Sequence, residues 1–357
     1  MKIACITDQH FGARNDSQVF DQHFEEFYRD CFFPELDRRG ITCVFMLGDT
    51  FDRRKYINFQ TLASCKRYYF DELAKRNIET HVIVGNHDAH FKNTIEVNSV
   101  DLVLGEYNNV IPYSSPRTVT LGGTEILVLP WICAENEAET IELMQQTRAC
   151  VLFGHLEIKG FEMYRGAVMD HGVDADIFSK FEIVASGHFH HPSRRGNIRY
   201  LGAPYEMTWS DYDDPRGFHI FDTETLEFEF VRNPFRMFHR LSYDDTACST
   251  IEEALAHRPP SLTGKTVKVV VKSKTNPSLF DQAMSSIEAE KPSGVQIVDD
   301  HLNKHLVEDV EIASEVSDTL TILKEYVSKH ARVADRKALD TLLTDLYNTA
   351  LEVQWAE

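Results

Sequence analysis

No stretch of the chain approaches the roughly 18 consecutive apolar residues that a membrane-spanning helix requires. Residues 1–6 enter strand-like sequence directly and lack the charged and apolar regions of a secretory signal peptide. The seven cysteines are odd in number and scattered, and none forms a C-x-x-C pair. These absences argue against a membrane protein, a disulfide framework and a structural zinc site. They predict buried free thiols in a reducing cytoplasm.

Positive charge is also scarce, since 37 Lys and Arg residues face 56 Asp and Glu residues and the net charge is −19. A passive nucleic-acid binder is usually basic, because neutralisation of phosphates drives its affinity. If this chain acts on phosphates, bound cations or a partner must supply positive charge locally. Its 357 residues, 43% of them hydrophobic, suffice for one large folded domain and one or two small ones.

Short apolar runs that end in polar clusters alternate with helical patterns through about residue 190. The runs are at 3–8, 43–47, 81–84, 151–153 and 183–186, and the helical patterns cover 20–36 and 60–75. This alternation predicts a layered α/β domain, in which ligands bind at the carboxyl ends of the strands. After residue 195, antiparallel strands are expected at 198–201, 218–222 and 228–231.

The character of the sequence changes between residues 235 and 265. A small second unit is predicted from a strand at 265–272, a helix at 279–290 and a strand at 294–298. An acidic stretch at 299–315 then leads to two helical patterns. The last of these places a stripe of Leu, Tyr and Ala side chains between residues 339 and 350 on one helix face.

Five polar clusters follow the predicted strands, at 8–10, 48–52, 85–88, 154–155 and 187–190. Asp8 and His10 are two residues apart, as are His188 and His190, so extended backbone directs each pair to one face. Carboxylate, amide and imidazole ligands without thiolate suit manganese, and also iron or zinc. The five clusters contain enough of these ligands to hold two ions that share one carboxylate. Such a pair of ions is suited to in-line phosphoryl displacement.

The order D-x-H, G-D-x-x-D, G-N-H-D, G-H and G-H-x-H resembles that of the calcineurin-like metallophosphoesterases. The details are most similar to the SbcD-type nucleases of double-strand-break repair and their T-even phage members. The supporting strings are at 8–12, 48–52, 84–88, 200–204 and 214–225. The resemblance implies an αββα two-sheet sandwich over 1–240, a small α+β DNA-capping domain over 241–300, and an acidic linker with C-terminal helices over 301–357.

The resemblance also implies a role for individual residues. One metal ion is expected at Asp8, His10, Asp49 and His190, and the second at Asp49, Asn86, His155 and His188. His87 is the expected general acid or stabiliser of the transition-state phosphate, and Asp88 is expected to orient it by a hydrogen bond. Some relatives have a histidine where this chain has Asp52, so a proton-transfer role for Asp52 stays open.

The function that the resemblance implies is that of a manganese-dependent DNA nuclease, with magnesium as the alternative metal. It implies 3′→5′ exonuclease and endonuclease activity on double-stranded ends, a homodimer, and an SMC-like ABC ATPase bound by the C-terminal helices. Two other functions stay open: a phosphatase or phosphodiesterase for small substrates, and a non-catalytic scaffold subunit. The extra domain argues against the first, and the intact ligand set argues against the second.

Several basic residues follow the first two motifs, namely Arg14, Arg53, Arg54 and Lys55. Such residues are usually solvated loop residues, but here they flank the expected site. Contact with DNA phosphates therefore stays an open alternative.

Overall fold

The computed structural model describes residues 1–164, 166–299 and position 339. Two compact units are present. The first comprises Met1–His239, Arg258–Val267 and Ser285–Val295, and the second comprises Arg240–His257, Lys268–Met284 and, of the described residues that follow, 296–299. The C-terminal helices predicted for 301–357 lie outside the described residues, apart from position 339. In the portion that is described, no helix combines the length and apolarity needed to cross a membrane.

The elements follow in chain order. The strands are β1 (Lys2–Ile6), β2 (Cys43–Met46), β3 (Glu79–Ile83), β4 (Val110–Tyr113), β5 (Arg117–Leu121), β6 (Thr124–Leu129), β7 (Val151–His155), β8 (Glu162–Tyr164), β9 (Ala167–Val168), β10 (Ile183–Gly187), β11 (Ser193–Arg195), β12 (Ile198–Tyr200), β13 (Gly217–Asp222), β14 (Glu227–Arg232), β15 (Phe238–Asp244), β16 (Leu255–Ala256), β17 (Thr266–Ser273) and β18 (Gly294–Asp299). The α-helices are Ala13–Asp16, Gln18–Phe27, Phe33–Arg39, Phe59–Cys65, Asp71–Lys75, Ser99–Val103, Glu137–Gln146, Ile251–Ala254 and Pro277–Glu288.

Two six-stranded sheets form the centre of the first unit, in the orders β14-β13-β1-β2-β3-β4 and β11-β12-β10-β7-β6-β5. Alternate residues of the inner strands face opposite sides. In β1, Ile3 belongs to the hydrophobic cluster between the sheets, whereas Ala4 belongs to the cluster on the outer face. In β7, Phe153 faces inward and Leu152 faces the outer cluster of the second sheet. Because both faces of each sheet are covered, these strands are apolar throughout, and the predicted αββα sandwich is confirmed.

Helices on the outer face of the first sheet come from the two predicted helical patterns. Each pattern is interrupted by one wide π turn, at Tyr28–Phe32 and at Lys66–Phe70. The wide turn lets the consecutive side chains of Tyr68, Tyr69 and Phe70 all reach the core. This aromatic layer lies directly beneath the loop that follows β1, where Phe11 contacts Tyr69 at a ring distance of 5.7 Å.

The carboxyl ends of the parallel strands carry the predicted polar clusters. Strands β1, β2 and β3 run parallel in the first sheet, and β6, β7 and β10 run parallel in the second. One expectation needs correction, because β12 is parallel to β10 and antiparallel only to β11. The short return through β11 reverses the chain, so β12 can extend the parallel sheet.

The second unit holds most of a four-stranded sheet in the order β16-β15-β17-β18. The Asp245 carboxylate organises the loop after β17, where it accepts backbone N–H groups of Thr275 at 2.8 Å and Asn276 at 2.7 Å. The Tyr243 ring contacts the Phe280 ring edge-on at 5.0 Å. The predicted strands and helix of this region are confirmed, while its role as a DNA-capping domain stays a prediction.

Candidate metal centre

The loops after β1 and β2 hold each other in place through their backbones. The Asp8 N–H donates to the Gly48 carbonyl at 3.0 Å, and the His10 N–H donates to the Asp49 carbonyl at 3.1 Å. Asp8, His10 and Asp49 all adopt the left-handed backbone conformation, with φ of 53°, 44° and 52°. This conformation is uncommon for residues other than glycine and costs on the order of 1 kcal/mol each. Strain of this kind is concentrated at functional sites.

The first ligand cluster consists of Asp8, His10 and His190, whose ligand atoms all lie within 4.8 Å of one another. His10 Nε2 is 3.0 Å from His190 Nε2, and His190 Nε2 is 3.9 Å from Asp8 Oδ1. The Asp8 carboxylate is buried and held from behind by the Thr7 hydroxyl at 2.8 Å and the His188 N–H at 3.1 Å. These three side chains therefore present two nitrogens and an oxygen to one small space.

The second ligand cluster consists of Asp49, His155 and His188, with Asn86 beside it. His155 Nε2 lies 3.2 Å from Asp49 Oδ2. Asn86 Oδ1 lies 2.9 Å from both His155 Nε2 and His188 Nδ1. Asp49 also reaches the first cluster, because its Oδ2 lies 3.8 Å from His10 Nε2. The Asp49 carboxylate thus lies near imidazole nitrogens of both clusters.

Hydrogen bonds outside the second ligand cluster decide which ring nitrogens face it. The Nδ1–H of His155 donates to the Leu47 carbonyl at 2.8 Å, so Nε2 is the ring nitrogen that faces the cluster. His188 Nε2 lies 3.5 Å from the Glu157 carboxylate, which favours a proton there and a lone pair on Nδ1. A carboxylate or carbonyl behind a ligating histidine is the usual arrangement at metal sites.

The amide of Asn86 tests whether this centre suits a cation. As placed, its oxygen faces lone-pair atoms of His155 and His188, and its nitrogen faces Arg54 Nη2 at 3.3 Å. Rotating the amide would let its N–H groups donate to both histidines and its oxygen accept from Arg54. The inward oxygen suits a cation between it and the imidazoles, or a proton on His155 Nε2 when no cation is bound. The donor set, oxygen and nitrogen without thiolate, therefore fits a divalent ion such as manganese, iron or zinc.

The buried carboxylates create a strongly negative field at the centre. Burial opposes protonation of His10, but its hydrogen bond to Asp52 and the charge of Asp49 outweigh this and raise its pKa to about 9. The pKa of His155 is likewise raised to about 9, because Asp49 outweighs the effect of burial. The pKa of Asp49 stays well below its usual value despite burial, because His155 and His87 lie beside it. A divalent cation competes with protons for the same lone pairs and gains from the same field.

The model of the calcineurin-like phosphoesterase family matches residues 1–192, more than half of the chain and including every predicted site residue. The chain belongs to the calcineurin-like phosphoesterase family. Exonuclease subunit 1 of Enterobacteria phage T4 is 32% identical to this phosphoesterase over 363 aligned residues, which cover 99% of this chain and 100% of the T4 protein. The resemblance read from the motifs is therefore confirmed.

Solved structures similar to this phosphoesterase include a hypothetical protein from Thermus thermophilus and an archaeal phosphodiesterase. The first is 13% identical with a TM-score of 0.35 and covers 66% of this chain and 100% of its own. The second is 13% identical with a TM-score of 0.32 and covers 65% of this chain and 99% of its own.

All seven residues that sequence reasoning proposed as metal ligands meet at this centre of the phosphoesterase. They come from five segments at the carboxyl ends of β1, β2, β3, β7 and β10. The set is Asp8, His10, Asp49, Asn86, His155, His188 and His190. The assignment of each residue to one ion stays a proposal.

His87 of the phosphoesterase lies against the same centre. Its N–H donates to Asp49 Oδ1 at 2.7 Å, and its Nδ1 lies 2.6 Å from the Asp52 carbonyl. Its ring contacts the His10 ring edge-on at a centroid distance of 4.8 Å. Because Nδ1–H donates to the carbonyl, Nε2 is left for proton transfer. Burial lowers the pKa of His87, which leaves the ring neutral at pH 7 in the absence of substrate.

The expected hydrogen bond between Asp88 and His87 is wrong. The Asp88 carboxylate accepts instead from the backbone N–H groups of Gly85 at 2.9 Å and of Thr50 and Phe51 at 3.1 Å. The turn from His87 to Asp88 directs the two side chains apart. The backbone carbonyl of Asp52, not Asp88, accepts the hydrogen bond from His87 Nδ1. Burial and the charge of Asp49 raise the pKa of Asp88 to about 6, against the effect of these N–H groups. Asp88 ties the loop after β2 to the loop after β3.

Sequence reasoning missed two groups that support the ligands. Glu157 lies behind His188, as described above, two residues beyond the predicted ligand His155. Arg216 is buried and donates to the His190 carbonyl, and its other end pairs with Asp211 at 2.7 Å and Asp214 at 3.0 Å. The string that contains Asp214 and Arg216 was noticed only as part of the family resemblance, because charge pattern alone does not indicate burial.

A third group of potential ligands, Cys43, Glu79 and His81, lies on β2 and β3 away from this centre. Both ring nitrogens of His81 have partners, the Glu79 carboxylate at 2.7 Å and the Tyr113 hydroxyl at 2.6 Å. Burial raises the pKa of the Cys43 thiol to about 12, so it is protonated. His81 is therefore a packed histidine and not a metal ligand.

Proposed function

We propose that this phosphoesterase is a manganese-dependent DNA nuclease with 3′→5′ exonuclease and endonuclease activity. The observation that carries the proposal is the pair of ligand clusters joined by Asp49, in a chain similar over its whole length to a phage exonuclease subunit. Divalent cations bound there would supply Lewis acidity at the phosphate and charge to offset the transition state. Local cations also answer the objection that a chain of net charge −19 repels DNA.

The ligands proposed for the first ion are Asp8, His10, Asp49 and His190, and those for the second are Asp49, Asn86, His155 and His188. The chain's own residues then have distinct tasks. Glu157 and the Leu47 carbonyl keep the imidazole lone pairs of His188 and His155 directed inward. Asp88 and the backbone bonds between loops hold the ligand-bearing turns at fixed separation.

We assign to His87 the proton transfer that lets the sugar oxygen leave: Nε2 takes up a proton from solvent once the anionic phosphate is bound, and then donates it to that oxygen. Its backbone is fixed to Asp49 and its ring is fixed to the Asp52 carbonyl. A ring nitrogen of His87 lies within 4.8 Å of ligand atoms of His10 and Asp49, so the imidazole borders the space where a phosphate would lie. General acid catalysis of this kind contributes about 10²–10⁴-fold.

The proposed partners follow from the family resemblance and the name of the T4 relative, which is a subunit. We propose double-stranded DNA ends as substrate, a homodimer, and an SMC-like ABC ATPase that binds residues 301–357. We place the protein in the cytoplasm, because its seven cysteines are all free.

Cleavage of end-labelled duplex DNA with manganese or magnesium, with and without the ATPase, tests this function. The expected result is manganese-stimulated cleavage that Asp49→Asn abolishes. A monoester and a small diester run in parallel distinguish the alternatives. Hydrolysis of the small esters with no cleavage of DNA would assign a phosphatase or small-substrate phosphodiesterase instead. Absence of both bound metal and hydrolysis would indicate a scaffold subunit.

A further inference from the structure

Arg54 is a half-buried cation beside the second ligand cluster. Its guanidinium lies over the Trp131 ring, 5.1 Å from the ring centre. Its Nη1 is buried and has no hydrogen-bond partner. Trp131 is itself fixed, because its N–H donates to the Val84 carbonyl at 2.9 Å and its carbonyl accepts from Asn136 at 3.0 Å. The guanidinium therefore has a rigid support on one face and unused donors.

The orientation of Asn86 leaves a second donor at the same place. With the amide oxygen turned toward the imidazoles, the amide nitrogen lies 3.3 Å from Arg54 Nη2, so two donors face each other. An acceptor between or beside them is needed to satisfy both. Arg54 has no carboxylate within ion-pair distance among the residues that the structure describes. When a bound cation holds the amide oxygen, so that it cannot turn to Arg54, the acceptor that fits is an oxyanion delivered from outside.

The adjacent Arg53, unlike Arg54, is paired with a carboxylate of the protein. Arg53 is committed to the protein, with Nη1 3.0 Å from Asp16, Nη2 2.6 Å from Asn15, and the Tyr56 hydroxyl at 2.5 Å. In a chain with a large excess of carboxylates, leaving Arg54 without one costs stability that a partner would recover. Burial lowers the pKa of Arg54 and the charges of Asp49 and Asp88 oppose this, but a guanidinium stays protonated at neutral pH.

We propose that Arg54 is a further catalytic residue, which donates to a non-bridging oxygen of the phosphate that the second ligand cluster receives. Trp131 is its positioning residue. This inference rests on the proposed phosphodiester hydrolysis and adds to it a side chain that donates hydrogen bonds to the phosphate. A planar guanidinium offers two parallel donors to phosphate, and its effect grows as negative charge accumulates on those oxygens in the transition state.

The first experiment measures the binding of inorganic phosphate to the manganese-loaded full-length protein by calorimetry. Arg54→Gln is expected to weaken phosphate binding at least tenfold, while manganese affinity, titrated separately, stays within about threefold of wild type. Arg54→Lys keeps the positive charge but lacks the two parallel N–H donors. Its phosphate affinity is expected to lie between those of wild type and Arg54→Gln. Arg38→Gln removes an exposed guanidinium that pairs with Glu35 on an outer helix and is the matched control, with phosphate binding unchanged.

The second experiment measures turnover. With bis(4-nitrophenyl) phosphate and with duplex DNA, Arg54→Gln is expected to lower kcat by about 10²–10³-fold. Millimolar guanidinium is expected to restore part of the activity of Arg54→Ala, and Trp131→Leu is expected to lower kcat less than Arg54→Gln. A merely structural role would not give rescue by guanidinium.

The outcomes separate this inference from the proposed function. Wild-type phosphate affinity and kcat in Arg54→Gln overturn the role of Arg54, even if the protein cleaves DNA. Loss of phosphate binding only together with loss of manganese also overturns it, since Arg54 would then support the metal centre. If wild type hydrolyses only the small diester, and Arg54→Gln impairs it, the role of Arg54 stands and the nuclease proposal fails.

Discussion

Asp49 is the residue on which the centre depends most. Its side chain is 2% exposed, one oxygen lies near imidazoles of both ligand clusters, and the other accepts the His87 N–H. In the proposed centre this carboxylate is shared by two ions, and an amide of the same shape could not replace it because the amide carries no charge. Substitution at this residue should therefore affect both ions at once.

We expect Asp49→Asn to weaken manganese binding by at least about 100-fold at both sites and to abolish hydrolysis. Manganese titration followed by electron paramagnetic resonance measures the stoichiometry. Asp37→Asn serves as the control, since this exposed carboxylate pairs with Arg76 at 3.1 Å and not with the ligands. Two ions bound normally by Asp49→Asn would contradict the bridging role.

We expect His87→Ala to keep both ions and to lower kcat by about 10²–10⁴-fold. The reason is that His87 donates a backbone N–H to Asp49, which the substitution preserves, while its ring is removed. Single-turnover cleavage and manganese stoichiometry measured on the same sample give both quantities. Turnover at the wild-type rate would remove His87 from the mechanism.

At the scale of the elements, the loops after β2 and β3 approach so closely that Gly85 leaves no room for a side chain. A Cβ at this position would collide with both the backbone nitrogen and the carboxylate of Asp49. We expect Gly85→Ala to lower the free energy of unfolding by about 1–3 kcal/mol and to weaken manganese binding. Gly294→Ala is the control, because a Cβ there has no neighbour within 4 Å and φ is not positive.

Thermal unfolding with and without manganese measures both effects of Gly85→Ala. A variant that binds manganese as tightly as wild type would show that the two loops can separate without cost to the ligands. The same clash explains why the glycine before Asn86 is more than a turn residue: it sets how near the loop of Asn86 comes to Asp49.

The strands and their carboxyl-end loops could be predicted from the sequence because the apolar runs are continuous and each ends in polar residues. The polar clusters in these loops were predictable for the same reason, whereas the individual ligands were implied by the family resemblance. Sequence reasoning misassigned Asp88, missed Glu157 and left the role of Arg54 open. Such roles depend on side-chain direction and on contacts between loops distant in sequence. The parallel pairing of β12 was missed because local pattern does not report strand direction.

At the scale of the whole molecule, buried histidines limit stability in acid. His219 on β13 is 6% exposed, its Nδ1 has no hydrogen-bond partner, and burial together with Arg199 lowers its pKa to about 3. The unfolded chain, in which the pKa is about 6.5, therefore takes up a proton between pH 6.5 and 3 that the folded chain does not. Its contribution to the free energy of unfolding is full above pH 6.5 and falls as the pH is lowered.

We expect His219→Leu to remove up to about 2 kcal/mol of the loss in stability between pH 6.5 and pH 5. Urea unfolding of wild type and variant at pH 7.5 and pH 5, both with chelator, measures the difference. The chelator excludes the contribution of metal binding. An identical pH dependence in the two proteins would mean that His219 is protonated in the folded state.

The ligands are divided between the two sheets of the sandwich, with Asp8, His10, Asp49 and Asn86 after strands of one and His155, His188 and His190 at the ends of strands of the other. A nascent or damaged chain that has formed only one sheet thus holds at most a fragment of the centre. The proposed metal centre is therefore complete only once both sheets have formed.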